Sequence, residues 1–95
     1  MSIESPIRKR LKAARKAANL SQEKLGVLAG IDEFSSSARM NQYETGKHAP
    51  DFLTLHRIGK VLNVPTAYFY TEEDDLAELI LAWKHCKLDY TISKE

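Results

Sequence analysis

Leu20-Ser21-Gln22-Glu23-Lys24-Leu25-Gly26-Val27-Leu28-Ala29-Gly30 and, further on, Asn41-Gln42-Tyr43-Glu44-Thr45-Gly46-Lys47 are the stretches that decide how this chain folds. Ser21 is a natural helix N-cap, because its short side-chain oxygen can accept from a free N–H of the first turn. Behind it Leu25, Leu28 and Ala29 recur at helical spacing and form the expected buried face. Gly30 ends that helix, since glycine enters the left-handed region without steric cost. Gly26 stands in mid-helix, where it costs about 1 kcal/mol relative to Ala; a glycine there suggests another backbone passing close by. In the second stretch Tyr43, together with Met40 just before it, faces inward, and Gly46 closes a third helix expected from roughly Ser36 to Glu44.

Helices extend outward from this pair in both directions. Ser5-Pro6 starts the first one, with Ser as cap and Pro at the first helical position, and Asn19 stops it. Ile7, Leu11, Ala14 and Ala18 make its apolar row, leaving six bases for the other faces. Pro50-Asp51 opens a fourth helix with Phe52, Leu55, Ile58 and Leu62 on one stripe. Val64-Pro65-Thr66 breaks it before a short turn from Ala67 to Phe69. Thr71 to Asp74 fits the capping-box pattern ahead of four consecutive acids, and Lys84, His85 and Lys87 suit the far end of a helix dipole. A sixth helix is therefore expected over about residues 72–88, followed by a loose tail at 89–95. No segment shows sustained strand alternation. The predicted fold is all-α: a compact five-helix domain over residues 1–70, with an additional C-terminal amphipathic helix and tail over residues 71–95.

Composition narrows the function classes. The chain has 95 residues, the size of one domain, with 43% hydrophobic and 28% charged side chains, as in an ordinary soluble globule. No apolar run approaches the ~20 residues of a membrane span, and Met1 to Pro6 lacks the apolar stretch of a secretion signal. Cys86 has no second cysteine to pair with, and a reducing cytoplasm is the expected location. The net charge of +1 conceals an asymmetry: residues 1–47 hold nine Lys and Arg against five acids, and residues 48–95 hold five against eight. A basic half beside an acidic half suits one surface turned toward a polyanion. His48, His56, His85 and Cys86 lack zinc-ligand spacing, there is no glycine-rich phosphate loop, and no motif supports a hydrolytic triad. No metal, cofactor, small-molecule ligand or enzymatic activity is expected.

The two opening stretches, with Ala29-Gly30-Ile31 between them, resemble the phage-repressor and Cro-like (XRE-type) helix-turn-helix family. Pro50, Leu55, Ile58, Leu62, Val64 and Phe69 match that family's fourth and fifth helices, so the resemblance spans about residues 5–70. It implies a repressor-like DNA-binding domain that lays its third helix in the major groove of a double-stranded operator. Ser37, Ala38, Arg39, Asn41 and Gln42 are the expected base contacts; Asn and Gln can bond an adenine edge and Arg a guanine edge. Gln22 matches the family glutamine that contacts a phosphate and braces the reading helix. Arg15 and Glu44 match an internal ion pair, with Arg15 also a candidate for phosphate, and Lys47 lies where the family meets the DNA backbone.

One departure concerns spacing. The family places about eleven residues between the two glycines of the motif, whereas Ile31 to Thr45 is fifteen. The four extra residues are expected to lengthen the turn, with Ser35, Ser36 and Ser37 each able to cap the third helix. Asp32 and Glu33 sit poorly beside phosphate, so the longer loop is expected to point away from the DNA backbone.

On the sixth helix Leu76, Leu79, Ile80, Leu81, Trp83 and Leu88 spread over more than the ~100° arc that packing on one neighbour requires. A homodimer through this helix is expected. Repression is favoured over activation because occlusion needs no further partner surface. The rival reading is a protein-interaction helix-turn-helix module, such as an antitoxin or a partner regulator.

Overall fold

Leu11, Leu25, Met40, Leu55, Ile58 and Phe69 are wholly shielded from solvent, and each of the first five helices contributes to this group. The computed structural model describes residues 4–85. Its helices are α1 (Ile7–Ala17), α2 (Gln22–Leu28), α3 (Glu33–Thr45), α4 (Phe52–Leu62), α5 (Thr66–Phe69) and α6 (Asp74–His85), with no strand among the described residues. The chain is all-α.

The local chemistry of the helix ends accounts for most boundaries. The Ile7 amide donates to Ser5 Oγ at 3.2 Å, the Lys24 amide to Ser21 Oγ at 3.0 Å, and the Thr54 amide to Asp51 Oδ1 at 2.8 Å. Each bond satisfies an amide that the helix itself leaves without an acceptor. Asn19 and Asn63 adopt positive φ at the ends of α1 and α4. Gly30 turns the chain between α2 and α3 at φ 95°, with open space around it, so backbone conformation alone explains this glycine.

The structure corrects the expected long turn. α3 begins at Glu33, and Asp32 caps it by accepting from the Phe34 amide at 3.0 Å. The extra residues therefore add a turn to the front of the helix, and the connection from α2 stays short. None of the three serines is the cap. Ser36 is fully buried, its hydroxyl donating to the Glu23 carbonyl at 2.7 Å, so tertiary packing fixes its place inside the helix.

Five other residues depart from expectation. Leu28, Ala18 and Phe52 are exposed rather than buried, and Phe52 stacks on His56 with ring centroids 6.3 Å apart. Arg10, expected on a solvated face, is buried: its Nε donates to the Thr71 carbonyl at 3.0 Å and its Nη2 to the Glu72 carbonyl at 3.2 Å. The same guanidinium lies 2.9 Å from Asp74 and over the Tyr68 ring, tying α1 to the approach to α6. Thr71 is not a capping residue; its hydroxyl donates back to the Ala67 carbonyl at 2.8 Å, and α6 starts only at Asp74. Cys86, Leu88 and the expected tail lie outside the described residues.

Candidate nucleic-acid interface

The placement of α3 begins with a close approach. A Cβ on Gly26 would lie 3.1 Å from Ser36 Cβ and 3.2 Å from Met40 Cγ, and would collide with Ser36 Oγ. Only glycine lets α2 come this near to α3. Ser36, Met40, Tyr43 and Glu44 form the buried side of α3. At 100° per residue the opposite side carries Phe34, Ala38, Asn41 and Thr45, all exposed, with half-buried Gln42 beside them. Ser37 and Arg39, also exposed, flank this row on either side.

A polar knot holds the far end of the helix. Arg15 Nε donates to Glu44 Oε2 at 2.6 Å, and Arg15 Nη2 to Glu44 Oε1 at 3.1 Å. The remaining arm, Nη1, donates to the Leu20 carbonyl at 2.8 Å. This forked pairing engages every arm of the guanidinium, and the two side chains are only 12% and 4% exposed. Arg15 is thus oriented into the protein and away from a passing phosphate. Gln22 Nε2 reaches Glu44 Oε1 at 3.2 Å and Asn41 Oδ1 at 3.3 Å, so it links the ion pair to the outer row of α3.

Past the end of α3, Gly46 takes φ 81° and the His48 amide donates to the Gln42 carbonyl at 3.2 Å. Lys47 and His48 are exposed there. Arg8 packs against Gly46, where an added Cβ would come within 2.7 Å of Arg8 Cδ, and it also pairs with Glu4 at 3.5 Å. Arg8 thus stands against the turn that leads into Lys47, and no motif in the sequence marked it; helix 1 and the Gly46 turn meet only in three dimensions. Phe34 is a second residue that the sequence reading did not place on this surface, because its segment was read as loop.

Among the described residues no group of three or more His, Cys, Asp or Glu is placed to hold a metal ion, and no helix is long and apolar enough to cross a membrane.

Residues 11–69, which include all of α2 to α5 and the greater part of α1, match the family model described as Helix-turn-helix. The chain belongs to the helix-turn-helix family. It is similar to the structure described as "Crystal structure of transcriptional regulator BswR", at 48% sequence identity over 92% of each chain and with a TM-score of 0.77. No match is found among curated proteins. Membership of this helix-turn-helix family, of the XRE type, carries DNA-binding transcription regulation with it.

Proposed function

We propose that this helix-turn-helix protein is a sequence-specific repressor that lays α3 in the major groove of a double-stranded operator and acts as a homodimer. The observation that carries the reading is a helix gripped on one side and open on the other. Its inner face is fixed by the Gly26 crossing and the Arg15–Glu44–Gln22 knot, while Ala38, Asn41 and Gln42 stand outward with Ser37 and Arg39 at the flanks. A helix of 13 residues is about 20 Å long and fits along a groove about 12 Å wide. Asn41 and Gln42 supply amides for adenine and Arg39 a guanidinium for guanine. Lys47, with the exposed bases of α1, supplies phosphate contacts that set the register without reading sequence, while Gln22, whose amide hydrogens go to Glu44 and Asn41, braces α3. Occupying the operator then blocks polymerase directly.

The apolar arc of α6 supports the dimer. Ala77 is buried, and Ile80 and Leu81 pack on the chain's own core. Leu76, Leu79 and Trp83 remain 45%, 65% and 48% exposed on the other side. In this reading residues up to 70 form the DNA-binding domain and the following helix joins two copies, each presenting one α3 to successive turns of the duplex.

A salt titration on random duplex DNA, followed by selection of bound sites from a random pool, tests the proposal. Groove binding predicts an affinity that falls steeply with salt and a selected site with two related halves. A module that binds only proteins has almost no DNA affinity at any salt.

A further inference from the structure

Phe34 is wholly exposed, more so than any other large hydrophobic residue described. It sits in the first turn of α3, in the segment that the longer spacing adds. On the helical wheel it lies within about 40° of Ala38, Asn41 and Thr45, and so continues their outer row. Ala38, one turn further on, has too little bulk to hold the ring off a surface that Asn41 approaches. The turn carries no base. Asp32 and Glu33 are its charged groups, both exposed, and the Asp32 carboxylate accepts from the Phe34 amide.

A tip with two carboxylates and an apolar ring has no favourable contact with phosphate. Its ring is what suits a major groove, where the thymine C5-methyl is the apolar group on offer. We infer that Phe34 is a specificity-determining residue whose ring packs on a thymine methyl beyond the bases read by Asn41 and Gln42. The inference rests on α3 being the reading helix.

The test uses the full chain and its Phe34→Ala variant, which should melt alike because the ring touches nothing in the free protein. Site selection from random duplexes is expected to give one thymine preference per half-site that disappears in the variant while the other positions persist. Replacing that thymine by deoxyuridine removes one methyl and should weaken the wild-type protein about three- to fivefold, leaving the variant unchanged. Identical preferences for both proteins, or equal weakening of both by deoxyuridine, overturn the role of Phe34. A variant that changes sedimentation and keeps its base preference also overturns it, by assigning the ring to a protein contact. If the wild-type chain selects no sequence at all, the DNA-reading role of α3 itself falls, and this inference with it.

Discussion

Gly26 and Ser36 meet where α2 crosses α3, and Ser36 Oγ lies in the space that any side chain on Gly26 would need while donating to the Glu23 carbonyl. One hydrogen bond and one missing methyl thus set how closely the two helices approach.

Gly26→Ala is expected to destabilise the protein despite the better helix propensity of alanine. The propensity gain is about 1 kcal/mol, and overpacking a filled site costs about 1–3 kcal/mol. Ser36 is short and fully buried, so it cannot swing aside. Pairing the change with Ser36→Ala should cost less than the two single losses together, because the colliding oxygen is gone. Denaturant melts of the four proteins measure this, and strict additivity contradicts the contact.

Glu44→Ala removes the acceptor for two arms of Arg15 and for Gln22. Leaving the guanidinium without its partner in a largely buried setting should cost about 3–5 kcal/mol in a chemical melt. An unchanged midpoint means that the pair contributes nothing to stability.

Gln42→Ala is expected to cost about 1–3 kcal/mol on the best site and to relax base preference at one or two positions. Affinities for selected and random duplexes decide the point. Equal losses on both show that Gln42 only supports the backbone contact.

Dimerisation through α6 is better probed by substitution than by cutting the chain after Tyr70. Such a cut removes the Thr71 and Glu72 carbonyls that satisfy buried Arg10, and so damages the domain as well as the interface. Leu79→Glu with Trp83→Glu alters exposed side chains alone. Sedimentation should show a dimer for the intact chain and a monomer for the variant; a wild-type monomer at tens of micromolar rules the dimer out.

The Asp74 carboxyl is held below its ordinary value of 3.8, first by the hydrogen bond from Lys9 and then by that from Arg10. A carboxylate depressed in the folded state contributes stability above its unfolded pKa and loses it as pH falls through the folded one. Asp74→Asn should therefore lower stability slightly above about pH 5 and converge with wild type in acid. The effect is small because the group is exposed and screened. Thermal melts across this range check it, and a gap that widens toward low pH has the wrong sign.

Several features were legible without coordinates because they depend on nearest neighbours. Ser21 and Asp51 cap helices through amides three residues away, and Asn19, Gly30 and Gly46 take positive φ where helices stop. Thr71 shows the limit of such local rules. Its spacing to Asp74 fits a capping box, yet a carbonyl four residues back is the acceptor that its hydroxyl meets.

By itself the sequence determined an all-helical chain, the order of its elements and the glycine at the α2–α3 crossing, since helical periodicity and capping act within one or two turns. Only the tertiary structure decided how the four extra residues between Gly30 and Gly46 are used. Three serines and one aspartate were all chemically fit to start α3, and local chemistry does not choose among them. Ser36 enters the crossing to meet Gly26 and bond Glu23, which rules out Ser36 and Ser37 as caps, and the Asp32 carboxylate takes the Phe34 amide, so that the helix begins at Glu33, ahead of Ser35. Arg10 follows the same logic. Nothing within a turn of it explains a buried charge; the carbonyls that make it tolerable, of Thr71 and Glu72, arrive from more than sixty residues away.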